Sequence, residues 1–274
     1  MKMKMKKIRV SIIFFLMILL PIWSISSLIP TSSAYNQNIH SKISKSAYFL
    51  LKNNGHYQGL INELETKYNG KELYKHMMQG SWDADGTESI NHGWSPDWHI
   101  GSPWWWFPIW GLGQLAVKYY GNAINYIRDY RTTKNEYHRY LAYYYLGFTL
   151  HMIQDACQPQ HTAFIDGTNP IHIDFELYCG ANSPTYPIEF ENYPLLYNFP
   201  EKPGHYKNPI NHVKDLYRGS DYVDYCAHQS VGIVSWVDGY NDKPHGWEWA
   251  WWNMCRLAVR ACAGLLYYFY YVDQ

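Results

Sequence analysis

The chain has 274 residues, 47% of them hydrophobic, which suits one large or two small well-packed domains and excludes global disorder. Lys and Arg (23) balance Asp and Glu (23), but unevenly: Lys2, Lys4, Lys6, Lys7 and Arg9 all fall in the first nine residues, and residues 1–34 hold no acidic residue. The other 18 basic and 23 acidic residues give 35–274 a net charge of −5 with His neutral, which argues against broad phosphate-backbone binding but leaves room for a metal site that meets one phosphate.

Residues 1–34 read as an export signal. Basic MKMKMKKIR precedes apolar VSIIFFLMILLPIW, and SISSLIPTSSA places Ser32 and Ala34 at the small-residue positions of a cleavage site. The apolar run is shorter than the roughly 20 residues a spanning helix needs, and it contains Pro21. Cleavage after Ala34 leaves 35–274 as the secreted, extracellular chain, starting at Tyr35.

Helical signals dominate from Ile39 onward. Asn36 or Asn38 caps a helix expected to run through Asn53, with Gly55 as its stop. Residues 57–67 and 71–79 read as two short amphipathic helices broken by Asn69-Gly70. Residues 80–107, rich in Gly, Pro, Asp and Trp, read as a long ordered loop. Two longer helices follow, from Leu112 to about Arg131 and from Glu136 to about Cys157, the second ended by Gln158-Pro159. Residues 180–206 read as loop, and two or three further helices fill 207–272. Strand-like alternation is scarce, so the expectation is one all-α, multi-helix domain. Trp104, Trp105, Trp106 and Trp110, like Trp247, Trp249, Trp251 and Trp252, are read first as helix-packing aromatics and second as a membrane-facing patch.

Export puts Cys157, Cys179, Cys226, Cys255 and Cys262 in an oxidising setting. Two disulfides would leave one thiol over; buried free thiols are the other reading. Cys255 and Cys262, seven apart on one helix face, are poorly placed to pair with each other, but either could reach Cys226. No C-x-x-C occurs, so a cysteine zinc site is not expected.

The chemistry gathers in YLGFTLHMIQDACQPQHT, residues 145–162. His151 and Asp155 are one helical turn apart and point to one side, a spacing at which two ligands can chelate one metal. Pro159 then turns the chain and delivers His161, and His172 with Glu176 repeats the four-residue spacing. The plain alternative is a helix-stabilising ion pair and a surface histidine. The surroundings of His151 are apolar, however, and a buried His and Asp need partners that a metal supplies. His56, His76, His138, His205, His212, His228 and His245 show no ligand spacing and read as structural or surface residues.

These residues carry a resemblance to the zinc-dependent phospholipase C family of bacteria, which shares its fold with zinc-dependent nucleases specific for single strands. The family pattern Y-L-G-x-x-L-H-x-x-x-D-x-x-Q-P-x-H is met by Tyr145, Leu146, Gly147, Leu150, His151, Asp155, Gln158, Pro159 and His161, and His172 with Glu176 completes it. The resemblance implies an all-helical catalytic domain over 35–274 holding three zinc ions. A G-x-x-x-x-D element fits Gly80 to Asp85, with Asp83 as the rival. An H-x-x-x-P-D context fits His92 to Asp97, with His99 as the alternative. The mature terminal amine and carbonyl would be those of Tyr35, and His40 resembles the histidine that opens the first helix.

By this resemblance Asp85, His92, His151 and Asp155 hold one zinc; Tyr35, His40 and the bridging Asp155 a second; His161, His172 and Glu176 the third. It implies phosphodiester hydrolysis by metal-activated water, with Asp155 bridging the metals and Asp85 also serving as a base. An unprocessed chain, with an amide in place of the Tyr35 amine, would weaken one site. Glu176, the text YLGFTLH and the length of 35–274 favour a phospholipase C, which releases diacylglycerol and a phosphorylated head group. The Tyr35–His40 spacing is that of the nuclease branch. Choline-binding members carry aromatics where this chain has Gly86 and Ser89, so head-group specificity stays open; Trp82, Trp94 and Trp98 are alternative cradles for a quaternary ammonium. The expected partner is a phospholipid met by peripheral membrane contact, with nucleic acid second, and the expected state is a monomer. A non-catalytic exported zinc-binding protein is the reading from another class.

Overall fold

The computed structural model describes residues 37–87, 111–162, 170–182, 218–233, 237 and 243–271. The export signal, Tyr35, His92, Asp97, His99 and the Trp94–Trp110 cluster therefore lie outside the described residues.

The expected first helix is α1 (Gln37–Asn54), and Gly55 ends it at φ +74°, a left-handed conformation that glycine adopts without strain. After α2 (Gln58–Leu64) the chain departs from expectation. Residues 71–72 are not helical: β1 (Lys67–Tyr68) and β2 (Lys71–Glu72) pair antiparallel, with Lys67 opposite Glu72 and Tyr68 opposite Lys71. Asn69 (φ 50°) and Gly70 (φ 77°) supply two consecutive positive φ angles, the signature of a two-residue hairpin turn. The dipeptide read as a helix break is thus a hairpin.

Helix α3 (Leu73–Thr87) runs through residues 80–87, which the sequence reading assigned to a loop. Gly80 weakens a helix by itself, but packing overrides that weakness. A Cβ on Gly80 would lie 2.0 Å from the Tyr144 carbonyl oxygen. One on Gly147 would lie 2.1 Å from the Met77 carbonyl oxygen and 2.8 Å from the Ser81 nitrogen. Backbone thus meets backbone where α3 crosses the helix carrying Gly147. Gly147→Ala is expected to cost about 1–3 kcal/mol or more, because rigid main chain rather than a side chain must give way. Urea unfolding of the variant checks this.

Helices α4 (Leu112–Thr133) and α5 (Glu136–Ala156) match expectation within two residues. Lys134 takes φ 56° at the end of α4, and the Asn135 side chain caps α5 by accepting from the Tyr137 N–H at 3.0 Å. Short helices α6 (Pro159–Thr162) and α7 (Pro170–Asn182) each start on a proline, whose fixed φ suits a first helical position. α8 (Arg218–Val231) and α9 (Lys243–Tyr271) complete the described elements.

The fold is all-α, with the two short strands as its only described sheet. α5 is the hub, touching α3, α4, α8 and α9, while α1 packs on α3 and α9. Every residue from Leu146 to Ala156 is buried, so α5 has no solvent face there and its polar residues must be satisfied inside. Residues 33–274 form one compact unit. On α9, Trp247 and Trp251 are buried while Trp249 is 44% exposed, so the packing reading fits the first two. All five cysteines are buried thiols, the second of the two readings. No helix among the described residues is long and apolar enough to cross a membrane.

Candidate metal centre

Three helices converge on one buried group. The first turn of α1 brings His40, the end of α3 brings Asp85, and the last turns of α5 bring His151 and Asp155. Ligand atoms of His40, His151 and Asp155 all lie within 4.8 Å of one another. Asp155 Oδ1 is 3.5 Å from His40 Nε2, and Asp155 Oδ2 is 3.1 Å from His151 Nε2. Asp85 faces the same imidazoles, 3.9 Å from His40 Nε2 and 3.6 Å from His151 Nε2. Asp83, the rival, faces elsewhere: it accepts from Gln79 at 2.9 Å and from the Tyr144 hydroxyl at 2.8 Å.

Both imidazoles present Nε2 to the carboxylates because Nδ1 is engaged behind. His151 Nδ1 lies 2.9 Å from the Ser81 carbonyl oxygen, which can only accept. Nδ1 therefore carries a proton, and Nε2 is the nitrogen available to a metal. His40 Nδ1 lies 2.7 Å from Gln154 Oε1.

The second group is built by α6 and α7. His172 and Glu176 stand one turn apart, with His172 Nε2 2.7 Å from Glu176 Oε1, and His161 Nε2 is 3.8 Å from the same oxygen. Burial alone would raise the Glu176 carboxyl, but His161 and His172 outweigh it and hold the group below its ordinary range. Burial pushes His161 down, toward the neutral imidazole that ligates metals.

Asp85 gives the clearest sign of what the site wants. Burial first, then the charges of Asp155 and Glu176, push its carboxyl up to about 9. Among the described residues, neither of its buried oxygens has a hydrogen-bond donor. Buried carboxylates crowded together are stable as anions only beside a cation. Nitrogen and oxygen donors without thiolate suit catalytic zinc, so the residues fit that ion. His40, Asp85, His151 and Asp155 thus come together, as do His161, His172 and Glu176, while Tyr35 and His92 lie outside the described residues.

Among solved structures, the alpha-toxin of Clostridium absonum aligns with 87% of this chain at a TM-score of 0.65 and 20% identity. The two share a fold. An alpha-toxin of Clostridium perfringens from an avian strain aligns with 84% of this chain at a TM-score of 0.59 and 17% identity. These neighbours bear out the resemblance at the level of the alpha-toxin fold. The matched region covers 64% and 62% of the two toxins, less than two thirds of either. No family model matches the chain, and no curated protein matches it.

The sequence reading passed over Ser44, Ser81 and Gln154, all fully buried behind the imidazoles. The available signal was an amide inside the apolar stretch TLHMIQDA, because a buried amide must find partners.

Proposed function

We propose that the chain is a zinc-dependent phosphodiester hydrolase of the phospholipase C type, exported and cleaved so that Tyr35 becomes the first residue. The observation that carries this reading is the pair of buried His–carboxylate groups, one around Asp155 and one around Glu176, on an alpha-toxin fold. In this reading His161, His172 and Glu176 hold one zinc, and His40, Asp85, His92, His151, Asp155 and the Tyr35 terminus hold two more. When bound, zinc polarises a phosphoryl oxygen and makes water acidic enough to attack at neutral pH.

The side chains have separable tasks. The Ser81 carbonyl holds the His151 proton away from the site. Asp85, whose carboxyl burial and the neighbouring charges push up to about 9, is the group assigned to act as a base toward water. Asp155 faces His40 and His151 at once, so its position sets theirs. Structural zinc is usually closed by four protein ligands, whereas three-ligand sets such as His161, His172 and Glu176 leave a position for water or substrate, which favours catalysis.

The test is hydrolysis of phosphatidylcholine, of phospholipids with other head groups and of single-stranded DNA by the purified protein, with and without a chelator. Diacylglycerol and a phosphorylated head group are expected from at least one lipid, with loss under chelation and recovery on adding zinc. Cleavage of DNA alone would move the chain to the nuclease branch. Chelator-insensitive turnover, or none of any substrate, would overturn the proposal.

A further inference from the structure

Gln154 stands on the buried side of α5, between the ligand pair His151 and Asp155, and is fully buried. Both ends of its amide are used. Oε1 lies 2.7 Å from His40 Nδ1 and 3.3 Å from the Ser81 hydroxyl, and Nε2 lies 2.9 Å from the Ser44 hydroxyl and 3.6 Å from Cys262 Sγ. An amide can be turned end for end, so its neighbours must decide the orientation. Cys262 does so. Its thiol donates to the Leu150 carbonyl oxygen at 3.9 Å, which leaves the sulfur only its acceptor capacity toward Gln154. The NH2 end therefore faces Cys262 and the carbonyl end faces His40. A carbonyl oxygen cannot donate, so His40 Nδ1 must carry a proton, which leaves Nε2 as the nitrogen that can ligate a metal.

We infer that Gln154 is a positioning residue that holds the His40 ring by its Nδ1–H, so that Nε2 is the nitrogen turned toward Asp155 and Asp85 before any metal arrives. Ser81 joins the two imidazoles into one device. Its carbonyl fixes His151 and its hydroxyl donates to the oxygen that fixes His40. The spacings are helical: Ser44 follows His40 by one turn, and Asp85 follows Ser81 by one turn. Cys262 then has a use without a disulfide. From α9 it sets which way the amide points, and so ties the last helix to the first turn of α1. The opposite amide orientation would put the His40 proton on Nε2, where it would repel a cation.

The inference rests on His40 as a metal ligand, and the experiment separates the two claims. Long-range proton–nitrogen NMR of the metal-free wild type reads the His40 ring directly: a proton on Nδ1 is expected, and an Nδ1 without one would overturn the inference. Zinc binding by competition with a chromogenic chelator is then compared for wild type, Gln154→Met and Gln154→Glu. Gln154→Met keeps the volume and removes the acceptor, and it should weaken one class of sites by roughly 10–100-fold while the sites of His161, His172 and Glu176 keep their affinity. Gln154→Glu restores an acceptor and should restore most of that affinity. Equal affinity in wild type and Gln154→Met would overturn the inference while leaving the metal centre standing. Wild-type protein that binds no zinc would overturn the metal centre and this inference with it. Should Gln154→Met fail to fold, the wild-type tautomer still decides.

Discussion

Replacing Asp155 with asparagine is expected to lower kcat/KM on the phosphodiester substrate by at least about 10³-fold, a loss typical of removing a preorganised charge from a buried site. The side chain keeps its shape and loses only its charge. Asp155 lies 3.5 Å from His40 Nε2 and 3.1 Å from His151 Nε2, so one carboxylate serves two imidazoles on two helices. His151→Ala should cost a similar amount. The double variant should be scarcely worse than either, because residues that act as a unit do not add. A second readout separates function from mere integrity. Asp155 is one of the charges that push Asp85 up, so Asp155→Asn should leave the metal-free protein as stable as wild type or more stable. Loss of activity together with retained or improved unfolding midpoints is the expected pair. Wild-type turnover in Asp155→Asn would remove Asp155 from the proposed machinery.

How much of this was legible beforehand follows from range. His151 with Asp155, and His172 with Glu176, were readable because four-residue spacing on a helix is a local rule. Helices α4 and α5 were readable for the same reason, with the end of α5 marked by Gln158-Pro159. The hairpin at Asn69-Gly70 was misread because strands of two residues are too short to show alternation. The extent of α3 was misread because Gly80 signals a break locally, while the contact that demands glycine lies on another helix at Tyr144. His40 and Asp85 came from the family resemblance alone; nothing within either helix announces the other three residues they face. Gln154 escaped for the converse reason. An amide inside an apolar helix declares that it needs partners, but Ser44, Ser81 and Cys262 are far off in sequence and no periodicity names them.

The second large effect is on stability. With the Asp85 carboxyl raised from 3.8 to about 9, the metal-free native state holds a proton there across that interval, whereas the unfolded chain loses it near 3.8. The native state then binds more protons than the unfolded state, so unfolding free energy falls as pH rises from about 4 to about 9, by at most one proton's worth, about 1.4 kcal/mol per pH unit. Zinc held by the proposed centre would reverse the balance, taking the place of the proton and leaving the carboxylate paired. Free zinc at 100 times its Kd adds about 2.7 kcal/mol per site, or roughly 5–10 °C in Tm for a domain of this size. Calorimetry at several pH values between 7.5 and 8.5, above the range in which buried His161 gains its own linkage, with chelator or with zinc, should show a metal-free Tm that declines with pH and a zinc-loaded Tm that is higher and flatter. The gap between the two should widen toward alkaline pH, because the proton that stands in for zinc on the metal-free Asp85 carboxyl becomes costlier to hold as pH rises. Asp85→Asn carries no proton to lose, so its metal-free Tm should be flatter across the same range and its gain from zinc smaller. A metal-free Tm that rises with pH over this interval would overturn the raised Asp85 carboxyl and the stability argument built on it.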